Sequence, residues 1–68
     1  MILVLQDSVT SETVGEMETA DFVPAVGETF VYAEGTPEEA NYTVVKRMYP
    51  TLIRSGVKVV RLRVRLAA

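Results

Sequence analysis

The chain has 68 residues, 49% of them apolar, with seven basic and nine acidic side chains and a net charge of −2. It contains no cysteine and no histidine, which excludes disulfide staples, zinc sites of the thiolate and imidazole types, and the side chains enzymes most often tune as nucleophile or general base. A core of this size is marginal without a supplement, so composition points to one small domain that associates with copies of itself or with a partner.

Ile2-Leu3-Val4-Leu5 opens a strand over residues 2–7 that is apolar on both faces, the pattern of a strand covered from both sides. The same stretch lacks a basic leader and breaks at Gln6-Asp7, too short for a signal core, and no stretch approaches a membrane-spanning length. The expectation is a soluble, cytoplasmic protein without membrane contact. Asp7-Ser8-Val9-Thr10-Ser11-Glu12 reads as a turn, because these side chains bond their own backbone. Residues 13–23 place Val14, Met17, Ala20 and Phe22 at apolar positions. Gly15 and the threonines favour an irregular, exposed strand there over a helix.

In Val23-Pro24-Ala25-Val26-Gly27-Glu28, Pro24 fixes φ and Gly27 supplies the permissive backbone of a tight turn. A short strand, Thr29-Phe30-Val31-Tyr32-Ala33, follows. Together with Tyr42, Val44 and Val45 further on, these residues resemble a loose group of small β-barrel domains. That group carries a Val-Pro-x-Val-Gly-acid turn, a short strand, a gap and a Tyr-x-Val-Val strand. The resemblance spans about a third of the chain and is structural, so it implies a barrel fold and carries over no catalytic residue. The group includes many short phage and bacterial reading frames, which implies a phage or mobile-element origin and admits a virion-associated location.

Glu34-Gly35-Thr36-Pro37-Glu38-Glu39-Ala40 has the marks of a helix start: Thr36 as N-cap, Pro37 at the first position and Glu39 closing a capping box. Glu34, Glu38 and Glu39 invite a calcium reading, but their spacing matches no Asp-x-Asp-x-Asp-Gly loop and helix-start chemistry accounts for two of them. No metal or cofactor is expected. Asn41-Tyr42-Thr43-Val44-Val45 favours a strand over 41–49 after a single helical turn at 37–40. The alternative is a helix over 37–48 on the i+4 recurrence of Ala40, Val44 and Met48. Pro50 marks a bulge, an edge or a break. Thr51–Arg54 and Val57–Val60 then form a hairpin about Ser55-Gly56, whose glycine accepts positive φ.

The last element has the clearest period. Val60, Leu62, Val64 and Leu66 alternate with Arg61, Arg63 and Arg65, a half-buried strand with a guanidinium stripe on its outer face. Ala67-Ala68 is expected to fray. The fold expected is an all-β small domain, an SH3-like barrel or sandwich of about five strands with one short helical turn, or α+β if 37–48 is helical. The expected core is Leu3, Leu5, Phe22, Val26, Phe30, Val44, Val60, Leu62, Val64 and Leu66.

Charge is segregated along the chain. All nine acids (Asp7, Glu12, Glu16, Glu18, Asp21, Glu28, Glu34, Glu38, Glu39) precede residue 41, and all seven bases (Lys46, Arg47, Arg54, Lys58, Arg61, Arg63, Arg65) follow it. Such asymmetry arises from acidic strands lying beside basic ones in one sheet, or from a surface built for a partner. The hairpin brings Lys46 and Arg47 towards Arg63 and Arg65, and like charges opposed on a ladder are destabilising unless an anionic surface answers them. Lys46, Arg47, Arg61, Arg63 and Arg65 are therefore the candidate binding face of a non-enzymatic interaction or structural module in a homo-oligomer or larger assembly. Nucleic acid is the alternative partner: one-face residues of a strand recur every ~6.8 Å, close to phosphate spacing in an extended strand. The acidic total opposes it. Ser8, Ser11 and Ser55 lie in turns without an identifiable base, and Glu16 with Glu18 lacks a water-excluding cleft, so no catalytic residue is assigned.

Overall fold

A computed structural model describes residues 1–19 and 22–67. Ala20, read as an apolar position, the acid Asp21, and Ala68 of the expected frayed end lie outside the described residues. The strands are β1 (Ile2–Asp7), β2 (Thr13–Glu18), β3 (Thr29–Tyr32), β4 (Ala40–Arg47), β5 (Leu52–Arg54) and β6 (Val57–Leu66). They form one mixed sheet in the order β2-β1-β6-β4-β3, with β5 also on β6. The domain is all-β, and the strand reading of 41–48 holds over the helical one.

The centre of the sheet is the parallel pair of β1 and β6, with Leu3 opposite Val60 and Leu5 opposite Leu62. Directly opposed residues share a face, so this row, extended by Val44 opposite Val64, forms one apolar surface. Leu3, Leu5, Val44, Val60, Leu62 and Val64 are its buried cluster, lined by Met1, Met17, Val23, Phe30, Tyr32 and Tyr42. Val4 and Val59 are buried as well but stand on the opposite face, because each is one residue out of step with the cluster. That is the two-sided cover that the unbroken apolar run of β1 implied.

Three aromatic rings line the curl of the sheet. Tyr32 packs edge-on to Tyr42 at 6.1 Å between centroids, and Phe30 lies 6.3 Å from the same ring. Tyr32 reaches from edge strand β3 across to edge strand β2, where its ring and hydroxyl occupy the place a side chain would take at Gly15. The two free edges thus meet through side chains, and the sheet curls into a half-barrel around the cluster.

Several expectations need correction. No helical turn forms at 37–40. Thr36 N–H donates to Ala33 O (3.1 Å) and Glu39 N–H to Thr36 O (3.0 Å), two successive tight turns. Glu39 does reach back, but its carboxylate accepts from Gly35 N–H (3.0 Å), one residue upstream of the capping-box position, and Ala40 already begins β4. Phe22, Val26 and Leu66 are more than half exposed. Val23 and Pro24 take the inward places in the loop that Phe22 and Val26 were expected to take, and Leu66 sits where β6 ends.

The turn after Pro24 is explained by its own bonds. Glu28 N–H donates to Ala25 O (3.0 Å), Glu28 Oε1 accepts from Ala25 N–H (2.7 Å), and Gly27 at the third turn position has φ of 92°. The glycine and the acid of this motif therefore both serve the backbone. In the β5–β6 hairpin Ser55 and Gly56 take φ of 50° and 79°, the double positive φ of a two-residue turn matched to strand twist.

Candidate interaction face

Register builds the face that turns away from the main cluster. Glu16 opposes Val4 on β1, and Val4 opposes Arg61 on β6, so these three share one cross-strand row. Glu18, Ile2 and Val59 form the row beside it, and Gln6 opposes Arg63. Beyond β6, Thr43 opposes Arg65 and Lys46 opposes Arg63. One face thus carries an acidic strip on β2, an uncharged seam of Ile2, Val4 and Gln6 on β1, and a basic band on β6 and β4.

Four of the five candidate residues, Arg61, Arg63, Arg65 and Lys46, stand in that band. Arg47 does not. The register slips between Val44 and Lys46, and this bulge sets Arg47 opposite Leu62, out of step with the stripe. Its guanidinium lies 5.2 Å from the Tyr49 ring centroid and donates weakly to Thr51 Oγ1 (3.4 Å). The expected crowding of bases is therefore narrower than the sequence suggested: Lys46 against Arg63.

What holds the arginines is neutral. Arg63 donates through Nε to Gln6 Oε1 (3.0 Å) and through Nη1 to Ser11 Oγ (2.9 Å). Arg61 donates through Nη2 to Pro50 O (3.2 Å), and its Nε is buried without a protein partner. Arg65 and Lys46 are exposed. Among the described residues the single ion pair is Arg54 with Glu16 at 3.5 Å, which joins β5 to β2 across β6 and β1. The acids of the first forty residues thus lie near the basic band without neutralising it.

Among the described residues, the carboxylate held below its usual range is Asp7, because the N–H groups of Thr10 and Val9 favour its charged form. Its Oδ1 accepts from Thr10 N–H (2.9 Å) and Val9 N–H (2.8 Å). This closes the turn that delivers Ser11 to Arg63.

Sequence reading missed Gln6, Ser11 and Thr43 as members of the face, and the placing of Glu16 and Glu18 upon it. Strand alternation puts Glu16 and Glu18 on one side of β2, but only the pairing of β1 with β6 shows that this is the arginine side. Among the described residues no helix is long and apolar enough to cross a membrane. No family model, curated protein or solved structure matches the chain.

Proposed function

We propose that the chain is a non-enzymatic interaction module, working within a homo-oligomer or larger assembly, and that it engages an acidic protein surface through Arg61, Arg63, Arg65 and Lys46. The supporting observation is the absence, among the described residues, of any carboxylate on these four bases. A band of like charge on one face raises the energy of the free fold and is relieved by an opposing anionic surface. Exposed pairs contribute about 0.2–1 kcal/mol each, so the band acts through number and steering.

The test is the triple change Arg61→Gln, Arg63→Gln and Arg65→Gln. Circular dichroism should show a retained β-fold, since none of the three belongs to the buried cluster, while light scattering should show weakened self-association or partner binding. An unfolded variant would make the stripe structural, and an unchanged association would remove the face from the interaction.

A second reading, nucleic-acid binding, draws on Tyr49, which is 70% exposed and stacked with Arg47, the kind of aromatic platform on which a base can rest. Binding to a single-stranded oligonucleotide that falls steeply with salt supports it. No retention at about 50 mM salt removes it.

A further inference from the structure

The face described above is self-complementary. The acidic strip of Glu16 and Glu18 and the basic band of β6 lie on either side of β1, each one strand spacing away, so the strip and the band stand about 9.6 Å apart. Glu16 and Arg61 share a height along the strands, because both stand in the row of Val4. Rotating a second copy by 180° about an axis running along β1, in front of the face, reverses the strand order and keeps strand direction. This sets β2 of each copy over β6 of the other, brings Glu16 over Arg61 in both directions, and leaves Ile2 and Gln6 of β1 at the centre, with Val4 already buried within its own chain.

We infer that the acidic partner of the basic band is a second copy of this chain, and that the two meet face to face as a two-fold dimer centred on Glu16 of each copy against Arg61 of the other, with Glu18 and Arg63 flanking that contact on either side. The inference rests on the protein-interaction reading given above and supplies its partner. Two observations carry it. The acids of the face stand on β2 and the stripe bases on β6 and β4, with Arg54 of β5 reaching Glu16 between them, and opposite charges on the two sides of a two-fold axis are what an isologous contact requires. Glu16 and Glu18 are exposed, and the sole described partner of Glu16 is Arg54 at 3.5 Å, with both side chains about half exposed; a pair of that kind is readily exchanged.

Charge reversal tests this on the full chain by light scattering at micromolar concentration. The unmodified protein is expected at twice the 7.5 kDa chain mass, falling towards the single mass at about 1 M salt, where the Debye length is about 3 Å. Glu16→Lys/Glu18→Lys makes both bands basic, and Arg61→Glu/Arg65→Glu leaves Arg63 with its hydrogen bonds while turning the stripe acidic. Each variant alone should have the single mass with an unchanged circular dichroism spectrum, and an equimolar mixture of the two should recover the double mass, since each then meets its opposite in both contacts.

A single mass for the unmodified protein overturns the inference, as does a mixture that stays single or grows beyond the double mass. If the arginine variant dissociates and the glutamate variant does not, the basic face remains the interaction face and only its partner is wrong. If the arginine variant stays dimeric, both readings fall. Should the arginine variant not fold, the glutamate variant, changed only on an exposed edge strand, still decides: a persistent double mass sinks the inference.

Discussion

Replacing Gly15 by alanine isolates the contact that curls the sheet. A Cβ at this position meets Tyr32 at its hydroxyl and Cζ, and comes within 2.8 Å of Cε1, closer than real side chains approach. Tyr32 cannot simply swing aside, because its ring packs against Tyr42 in the cluster's lining. Overpacking of this kind costs about 1–3 kcal/mol. Alanine in a strand interior meanwhile recovers about 0.5–1 kcal/mol over glycine, which leaves a net loss centred on about 1.25 kcal/mol and no larger than about 2.5 kcal/mol. In a domain of this size each kcal/mol moves the melting temperature by about 4–8 °C, so Gly15→Ala should melt roughly 5–10 °C lower.

The sign of the effect is the stronger test. In a Tyr32→Leu background the hydroxyl, Cζ and Cε1 are gone, the clash with them, and only the backbone preference remains. Gly15→Ala should then raise the melting temperature by a few degrees. Thermal melts of the four members of this double-mutant cycle measure the coupling directly. If Gly15→Ala is neutral with Tyr32 in place, or destabilises equally in both backgrounds, β2 and β3 are not held together by this contact and the account of the curl is wrong.

Two other outcomes follow from the same coordinates. Leu62→Ala, at a fully buried position, should cost about 2–5 kcal/mol by urea unfolding, while Leu66→Ala, at 65% exposure, should stay within about 1 kcal/mol; equal costs would restore Leu66 to the core. Asp7 has a folded-state pKa below its unfolded value, so its contribution is present above the ordinary carboxylate range and lost as pH falls through the depressed value. Asp7→Asn, which keeps the shape, should therefore unfold at lower urea than the unmodified chain near pH 6, with the gap closing towards about pH 2; a gap that persists in acid would mean the turn depends on shape and not on charge.

Local chemistry made half of this fold legible and topology hid the rest. The β5–β6 hairpin could be read because Ser55-Gly56 is its own instruction, and β6 because its period of two survives over seven residues. The pairing of β1 with β6 could not, since a parallel ladder joining residues 2–7 to 59–64 has no turn to fix its register. Of the five bases read as one face, four stand together and Arg47 does not, because a one-residue slip after Val44 moves a side chain across the sheet and no residue in Val44-Val45-Lys46 announces it. Phe22 and Val26 were misread for a different reason. Hydrophobicity marks them, but the loop they occupy is anchored by Val23 and Pro24, and a segment held at two adjacent residues need not bury its neighbours.

The unpaired edges bear on where such a domain can associate. Met1 and Thr19 exchange both backbone bonds, at 3.0 and 2.9 Å. Antiparallel pairs alternate, so Leu3 with Met17 and Leu5 with Gly15 are also bonded, and the N–H and C=O groups of Glu16 and Glu18 point out from the edge. A strand arriving there would have to bring its backbone between two carboxylates, the charged protection natural sheets give exposed edges. At the other side Val44 N–H donates to Glu28 O (3.0 Å), so by the same alternation only Thr29 and Val31 of the four-residue β3 offer free backbone groups, and Glu28 and Glu34 flank that short edge. Glu16 and Glu18 therefore do two things at once: their backbones make β2 an edge, and their side chains keep it from being extended. With both edges acidic or acid-flanked, self-association through added strands meets like charge in every combination. Association through the face meets opposite charge in both.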